Sequence, residues 1–336
     1  MLIFRIFGAG EWGLAVANHL SLDNTVEIYL RDKEKIELYK RQMAHKELGL
    51  MFNDNISFYD INSPTESNAV VGAENIINII ASSSSGFVSI IQNNLDYFKS
   101  FDSISWITKG LDHASGLLFH QIIDEQISNK MEKCIISGPS FARDLILKKP
   151  LEVTIASTDT TLSDHLISAM SDDNFNLVPT KDIIGTEISG VIKNVSAILA
   201  GSLTANEYSD EYITQLIELS QNEVKRITKL IIGKSSNYQI SESEIDKTLA
   251  SPACAGDLHL TCFYNTSRNR QLGLKLTDTC NIKKLISKIG TVEGYLSAST
   301  LFNNKEIYGN GLIINAAYDI LYNHMNPREV LNQLFD

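Results

Sequence analysis

A glycine-rich turn near the N-terminus constrains this chain more than any other feature. Residues 8–13 read Gly-Ala-Gly-Glu-Trp-Gly, and they separate a β-rich run from a run with helical character. In a G-x-G-x-x-G turn the first glycine (Gly8) permits the tight turn, the second (Gly10) lets backbone approach a pyrophosphate, and the third (Gly13) lets helix and strand pack closely. The helix N-terminus then presents N–H groups to the phosphates. The turn therefore predicts a dinucleotide site, although glycines also occur in plain turns.

Apolar runs of strand length alternate with helical runs over the first half of the chain. The predicted strands lie at residues 2–7, 26–30, 76–80, 103–107, 134–136 and 151–156, and the predicted helices include residues 33–46, 87–98 and 162–170. Continuous apolar strands that alternate with helices are typical of a doubly wound parallel sheet. After residue 180 the β-runs largely stop. The predicted fold class is therefore α/β, with a Rossmann-type doubly wound parallel sheet at residues 1–180 and an all-α C-terminal domain at residues 181–336.

Two charged residues follow the second predicted strand. Arg31 and Asp32 stand about where a second-strand residue meets the adenosine ribose of a dinucleotide. An aspartate there accepts a hydrogen bond from the 2′-hydroxyl of NAD, whereas an arginine accommodates the 2′-phosphate of NADP. Because both residues are present, the choice of cofactor stays open, and ordinary strand-end charges are the alternative interpretation.

Three loops leave the predicted strands at the edge where such sheets bind ligands. They are residues 81–86, residues 108–110 and residues 137–142, and they are rich in serine and glycine. Serine, glycine and lysine suit phosphates or oxyanions. Lys109 is therefore a site candidate, and a solvated loop charge is the alternative.

Lys193 lies in an otherwise apolar helical run, Ile-Ser-Gly-Val-Ile-Lys-Asn-Val at residues 188–195. Burial of an unpaired ammonium costs several kcal/mol or more, so a lysine in such surroundings must find a partner or lose its charge. Such surroundings lower the pKa of a lysine, as in enzymes that use a lysine as a general base. Lys193 is therefore a candidate for proton chemistry, unless its stem packs while its ammonium group reaches water.

A second polar motif lies in the helical half. Residues 256–262 read Gly-Asp-Leu-His-Leu-Thr-Cys, and residues 267–270 read Ser-Arg-Asn-Arg. An arginine next to an amide can bind an anion with a bidentate fork and a directional hydrogen bond. Helix caps and surface arginines are the alternative interpretation.

Composition limits the compartment and the partners. The formal net charge of −11 argues against a nucleic-acid or anionic-membrane surface. The four cysteines form no C-x-x-C pair, so reduced thiols and a cytoplasmic setting are expected. Neither a signal peptide nor an apolar run of membrane-spanning length is expected, and no metal site is predicted. Whether the chain forms a homodimer is left open.

Taken together, the motifs resemble the bacterial type of NAD(P)-dependent glycerol-3-phosphate dehydrogenase. The resemblance extends from Gly8 to about Gly294, and the order and spacing of the motifs both fit. The matching motifs lie at residues 8–13, 108–111, 137–142, 191–195, 256–258, 260–262, 267–270 and 292–294.

The resemblance implies a Rossmann domain followed by a helical domain, and hydride exchange between NAD(P)H and dihydroxyacetone phosphate for glycerophospholipid synthesis. It implies that Lys193 is the acid/base on the C2 oxygen, that Lys109 lies beside the substrate, and that Asp257 orients and partly neutralises the lysines. The candidate substrate-binding residues are Gly138, Ser140, Asn194, Thr261, Ser267, Arg268 and Asn269. The candidate cofactor-binding residues are Gly8, Gly10, Glu11, Trp12, Gly13, Arg31, Asp32, Lys109, Ala142, Arg268 and Glu293. NADPH is slightly favoured, because the resemblance assigns Arg31 to the adenosine end.

The chain also departs from the family pattern. A valine-proline-serine stretch is replaced by Ala-Ser-Ser-Ser at residues 81–84, and two stretches of the helical half differ at residues 209–211 and 218–220. These changes affect the walls of the site and the helical packing around it, while the expected reacting residues all remain. A dehydrogenase of another phosphorylated or carboxylated 2-oxo compound is therefore the alternative enzyme. A non-catalytic dinucleotide sensor is a further alternative, because fold does not determine function.

Overall fold

The computed structural model describes residues 2–64, 76–235, 237–265, 267–276 and 281–336. The chain divides into two compact units. The first comprises Met1–Asp112 and Leu118–Ile183, and the second comprises His113–Leu117 and Ile184–Asp336. The sequence did not indicate that His113–Leu117 belongs to the second unit.

The first unit contains strands and helices in alternation. The strands are β1 (Ile3–Phe7), β2 (Thr25–Leu30), β3 (Ala44–His45), β4 (Leu50–Met51), β5 (Ile56–Asp60), β6 (Ile76–Ile80), β7 (Ser103–Trp106), β8 (Glu132–Ser137), β9 (Leu151–Ser157) and β10 (Phe175–Thr180). The helices are α1 (Glu11–Leu20), α2 (Lys33–Gln42), α3 (Ser84–Asn93), α4 (Leu95–Phe98), α5 (Phe119–Gln126), α6 (Ala142–Ile146) and α7 (Thr160–Met170).

The main sheet of this unit has the strand order β10-β9-β8-β7-β6-β1-β2-β5 within the described residues. Neighbouring strands from β5 to β8 pair in parallel. Every residue of β1 and of β6 is buried, because helices cover both faces of such a sheet. The predicted Rossmann-type doubly wound sheet is confirmed.

The predicted strand β9 runs opposite to the expected parallel direction, and β10 is a further strand that was not predicted. β9 pairs with β8 antiparallel, and β10 pairs with β9 in parallel. Between β8 and β9 the only helix is the five-residue α6, which is too short for the usual crossover to a parallel strand. The sequence did not indicate β10, whose residues alternate between buried and exposed and which contains Pro179 at the edge of the sheet.

Two predicted helices are shorter than expected. The helix predicted at residues 33–46 ends at Gln42, because Met43 takes a left-handed conformation with φ 45° and β3 follows. The helix predicted at residues 87–98 is interrupted at Asn94, where one helix ends and α4 begins.

The second unit is helical. Its helices are α8 (Ile183–Ala205), α9 (Asp210–Lys234), α10 (Glu242–Ala250), α11 (Asp257–Phe263), α12 (Arg268–Gly273), α13 (Ile282–Ile289), α14 (Glu293–Asn303), α15 (Lys305–Tyr308), α16 (Leu312–Leu321) and α17 (Pro327–Phe335). A π-helical turn, Pro252–Gly256, leads directly into α11. The predicted all-α C-terminal domain is therefore confirmed.

Helix α8 forms the core of the second unit. By length and composition it could cross a membrane, with a mean hydropathy of 1.4 over 18 residues, but 94% of that window is buried within the protein. The expectation that no apolar run approaches membrane-spanning length was therefore wrong for α8. Its apolar residues face other helices rather than lipid, and a buried core helix has the same composition as a membrane span.

The described cysteines are reduced. Cys134, Cys254 and Cys262 are buried and are not joined in disulfide bonds, and Cys280 lies outside the described residues. Burial raises the pKa of the Cys262 thiol to about 12. Burial also raises the pKa of the Cys134 thiol, so the thiols of Cys134 and Cys262 are protonated near neutral pH.

Candidate functional site

A cavity of about 390 Å³ opens on the glycine-rich turn of the first unit. Much of its lining follows the carboxyl ends of β1, β2, β5, β6 and β7, which is the edge where parallel sheets bind ligands. The lining residues are Gly8, Ala9, Gly10, Glu11, Trp12, Gly13, Leu30, Arg31, Ile61, Ala81, Ser82, Ser83, Gly86, Ile90 and Ile107.

The three glycines of the turn have different surroundings. Gly8 has φ 126°, and an added Cβ there would collide with the carbonyl oxygen of Ala81. An added Cβ at Gly13 would lie 2.9 Å from the Ala81 Cβ, so this glycine permits close packing of α1. At Gly10 an added Cβ would meet nothing within 4 Å. The space in front of Gly10 is therefore open to a ligand.

Helix α1 begins next to this open space. Gly10 is its N-cap, and among the described residues no side chain caps its first turn. First-turn N–H groups without such a cap are suited to an anion. The exposed Glu11 and the half-buried Trp12 follow, and the Trp12 ring packs edge-on against Phe175 at 6.3 Å. The open space, the uncapped helix and the cavity together fit a dinucleotide.

Arg31 and Asp32 are both exposed at the end of β2, but they face different surroundings. Arg31 lines the cavity. Asp32 does not, and its Oδ1 accepts a hydrogen bond of 3.1 Å from the backbone N–H of Lys35 as the N-cap of α2. This arrangement favours Arg31 over Asp32 as the residue that reads the ribose.

The loops after β6 and β7 are joined by Thr108. Its buried Oγ1 accepts from the backbone N–H of Ser82 at 3.2 Å and donates to the carbonyl oxygen of the same residue at 3.0 Å. Thr108 therefore fixes the backbone that directly precedes Lys109.

Lys109 reaches the third loop of the edge. Its Nζ donates to the carbonyl oxygen of Gly138 at 2.5 Å. Gly138 has φ 146°, and Ser140 and Ala142 follow it at the start of α6. The structure thus brings two predicted residues, Lys109 and Gly138, into direct contact.

Lys193 and Asp257 form a buried ion pair in the second unit. The Lys193 Nζ lies 2.6 Å from Asp257 Oδ2, and the two side chains are 11% and 3% exposed. Thr261, one turn along α11, donates to the Asp257 carbonyl oxygen at 2.5 Å and lies 3.4 Å from Oδ1. Asp257 is therefore the charged partner that a buried ammonium group requires, although it lies 64 residues away in the chain.

Asn194 and Asn269 form a second contact. Asn269 Nδ2 donates to Asn194 Oδ1 at 2.8 Å, and Asn269 Oδ1 accepts from the backbone N–H of Gly294 at 2.9 Å. An added Cβ at Gly294 would collide with the carbonyl oxygen of Asn194. The first turn of α14 therefore packs directly against α8, and Asn269 joins the two.

The remaining substrate candidates lie at the start of α12. Ser267 caps this helix by accepting from the backbone N–H of Asn269 at 3.2 Å. Arg268 is exposed. Arg270 is buried and donates to Asn265 Oδ1 at 2.9 Å and to Thr204 Oγ1 at 3.1 Å. Burial lowers the pKa of Arg270, and its contacts anchor α12 beside α8.

Glu293 begins α14 and contacts a residue that the sequence did not indicate. Its Oε2 lies 3.2 Å from His113 Nε2, and His113 Nδ1 lies 3.0 Å from Thr300 Oγ1. His113 is 180 residues away from Glu293 in the chain, so no local pattern could identify the pair. The cavity residues Ser82, Ser83 and the neighbouring apolar side chains were also missed, although their loop was recognised.

Comparison with known proteins agrees over nearly the whole chain. Residues 4–163 match the model of the NAD-dependent glycerol-3-phosphate dehydrogenase N-terminus, and residues 182–332 match that of the C-terminus. The glycerol-3-phosphate dehydrogenase [NAD(P)+] of Vesicomyosocius okutanii is 30% identical over 334 residues, which is 98% of this chain and 95% of the relative. The enzyme of the same name from Francisella tularensis subsp. novicida is 30% identical over 338 residues, which is 98% of this chain and 96% of the relative.

A solved structure also shares the fold. The glycerol-3-phosphate dehydrogenase of Coxiella burnetii superposes with a TM-score of 0.82 at 23% identity, over 100% of this chain and 99% of the other.

Proposed function

Because the chain belongs to the NAD-dependent glycerol-3-phosphate dehydrogenase family, we propose that it interconverts sn-glycerol 3-phosphate and dihydroxyacetone phosphate with NAD(P)(H). The observation that carries this proposal is the buried pair of Lys193 and Asp257. A dinucleotide sensor needs the glycine-rich turn, but it has no use for a charged lysine in the core of a second unit. A proton-transfer step, in contrast, requires a lysine of this kind.

The chain's own residues handle the proton and the substrate. We propose that the Lys193 ammonium group donates a proton to the C2 oxygen as negative charge develops there, and accepts it in the reverse direction. Asp257 holds the ammonium group in place through Oδ2. Arg268 and Asn269 are the proposed phosphate ligands, since a guanidinium fork and an amide suit phosphate oxygens. Lys109 is proposed to lie beside the substrate.

The cavity of the first unit is the proposed cofactor site. When bound there, the dinucleotide supplies or accepts the hydride. Gly10 and the first turn of α1 would hold its pyrophosphate, and Arg31 would meet the adenosine ribose. The position of Arg31 in the cavity lining supports a modest preference for NADPH.

We also propose a cytoplasmic role in the supply of the glycerol backbone for phospholipids. Sedimentation velocity would distinguish a homodimer from the 37.4-kDa monomer.

The test is an oxidation assay with purified protein. NADH and NADPH are each mixed with dihydroxyacetone phosphate, with dihydroxyacetone as the matched control without phosphate, and with other phosphorylated or carboxylated 2-oxo compounds. We expect oxidation with dihydroxyacetone phosphate and little with the control. Faster oxidation with another 2-oxo compound would favour the alternative dehydrogenase, and dinucleotide binding without oxidation of any kind would favour the sensor.

A further inference from the structure

Helix α12, which carries the proposed phosphate ligands, lies with its backbone directly against that of α8. A Cβ added at Gly201 of α8 would collide with the carbonyl oxygen of Arg270, and one added at Gly273 of α12 would collide with the carbonyl oxygen of Ile198. One glycine on each helix therefore permits this close approach. A contact between glycines sets the distance between two helices, but it offers no side chain that would prevent either helix from rotating.

The side chain of Arg270 supplies the contacts that resist such a rotation. It is 5% exposed, and it donates from Nε to Asn265 Oδ1 at 2.9 Å and from Nη2 to Thr204 Oγ1 at 3.1 Å. The Thr204 hydroxyl donates to the carbonyl oxygen of Ala200 at 3.1 Å, so toward Arg270 its oxygen acts as an acceptor. Because a guanidinium group is planar and its N–H groups point in fixed directions, two such bonds define the orientation of α12.

Arg270 thereby joins the three helices that carry the proposed chemistry of the second unit. Thr204 belongs to α8, which also holds Lys193. Asn265 follows the end of α11, which holds Asp257. The proposed proton donor, its carboxylate partner and the proposed phosphate ligands are therefore connected through one buried guanidinium group.

Arg268 is the residue whose position depends most on this orientation. Residues two apart on a helix do not share a face, and Arg268 is exposed whereas Arg270 is buried. A Cβ added at Gly290 would lie 3.7 Å from Arg268 Nη1, so Arg268 lies beside the C-terminal end of α13. Asn269, in contrast, is held to α8 by its own hydrogen bond to Asn194. A rotation of α12 would therefore displace Arg268 in particular.

We propose that Arg270 is a positioning residue that directs Arg268 toward the substrate phosphate at a fixed separation from Lys193. This inference rests on the proposed function, in which Arg268 binds the phosphate and Lys193 transfers the proton. A fixed separation favours substrates whose phosphate and C2 oxygen are spaced as in dihydroxyacetone phosphate. Arg270 thus contributes to selectivity for the length of the substrate without touching it.

The test compares the parent with Arg270→Met, which keeps an apolar stem but none of the donors. We measure the KM for dihydroxyacetone phosphate, and by phosphorus NMR the Kd for inorganic phosphate in the presence of saturating NADPH. Loss of orientation should raise both by about tenfold, while kcat changes less. Arg270→Lys, which keeps the charge and a donor, should recover part of the affinity. Unchanged KM and Kd in Arg270→Met would overturn the proposal.

Combination with Arg268→Ala shows whether Arg270 acts through Arg268. The double variant should raise the Kd for inorganic phosphate little beyond the value for Arg268→Ala alone, because the residue that Arg270 positions is then already absent. Effects that multiply would show that Arg270 acts independently of Arg268, contrary to the proposal.

Arg226→Met is the matched control, because Arg226 also anchors a helix of the second unit. It donates from Nη1 to the carbonyl oxygen of Tyr308 at 2.9 Å, and its other described hydrogen bond is to Glu223 rather than to α12. This variant should lower Tm but leave the KM and the Kd for phosphate within about twofold. A rise equal to that in Arg270→Met would reduce the role of Arg270 to general stability and contradict the proposal.

A milder change covers the case in which Arg270→Met does not fold. Thr204→Val removes one acceptor at an exposed position and should raise the KM and the Kd for phosphate by a smaller factor. Unchanged values in this variant count against the proposal. A parent protein that binds phosphate but reduces no ketone would contradict the proposed function and leave the phosphate measurements intact.

Discussion

At the scale of single residues, the pair of Lys193 and Asp257 combines a proposed catalytic role with a structural one. Removal of one partner of a buried ion pair leaves an uncompensated charge and costs about 3–5 kcal/mol, whereas neutralisation of both is often tolerated. A loss of turnover in a single variant therefore has two explanations, which need to be separated.

We expect Lys193→Met to lower turnover by roughly 100-fold or more, because the proton donor is lost, and also to lower stability. Lys193→Met combined with Asp257→Asn should recover most of the stability, measured by urea unfolding, but none of the turnover. Dinucleotide affinity should change little in both variants. Turnover of Lys193→Met within a few-fold of the parent would refute the acid/base assignment.

Arg31 is the residue that we propose to determine the cofactor preference. Arg31→Ala should weaken the binding of NADPH by about 1.5–3 kcal/mol, the range for hydrogen bonds to charged groups. The binding of NADH should weaken less. The measurement is the catalytic efficiency with each cofactor. Asp32→Asn is the control, since Asp32 caps α2 and does not line the cavity. An equal loss for both cofactors would mean that Arg31 does not read the 2′-phosphate.

At the scale of elements, the turn between β1 and α1 contains a proposed binding glycine, Gly10, and a packing glycine, Gly13. Gly10→Ala should leave Tm nearly unchanged, because its Cβ meets no protein atom, but the methyl group should obstruct the pyrophosphate and raise the Kd for both dinucleotides. Gly13→Ala should lower Tm, because its Cβ would lie 2.9 Å from that of Ala81. Thermal unfolding and nucleotide titration of the two variants provide the comparison. If Gly10→Ala instead lowered Tm and Gly13→Ala raised the Kd, Gly13 would be the binding glycine and Gly10 the packing glycine.

The junction of α14 with α8 depends on a glycine in the same way. Gly294→Ala should destabilise the protein by about 3 kcal/mol or more, since overpacking at a backbone contact forces the helices apart. Gly233→Ala is the control, because Gly233 lies in α9 with open space around its Cα. It should stabilise the protein by roughly 0.4–1 kcal/mol. Similar stability of both variants in urea would contradict this close approach of the two helices.

Element boundaries show where local patterns are insufficient. The apolar periodicity of residues 33–46 continues past Gln42, but the left-handed backbone at Met43 ends the helix. The edge strand β10 contains a proline and alternates in burial, so its sequence does not resemble that of a fully buried parallel strand. Boundaries of this kind depend on which neighbour covers each face.

At the scale of the whole molecule, cofactor binding should stabilise the folded chain by mass action. NADPH at 100 times its Kd adds about 2.7 kcal/mol, which corresponds to a rise in Tm of about 5–10 °C for a cooperative unit of 150–250 residues. The measurement is differential scanning calorimetry with and without NADPH. Gly10→Ala at the same NADPH concentration should show a much smaller rise, and an equal rise would place the nucleotide elsewhere.

The sequence by itself determined the glycine-rich turn, the alternation of strands and helices, and the order of the polar motifs. Each strand, helix or motif is recognised from residues close together in the chain, and their order is read along the chain, so no fold is needed to identify them. The candidate status of Lys193 followed from the same kind of local reasoning, since an ammonium group in an apolar run requires a partner.

Only the tertiary structure decided which partner each group found. Asp257 reaches Lys193 across 64 residues, and His113 reaches Glu293 across 180. The reversal of β9 and the burial of α8 were decided in the same way. Such contacts depend on the path of the chain through the whole fold, and the local sequence around either partner is compatible with many paths.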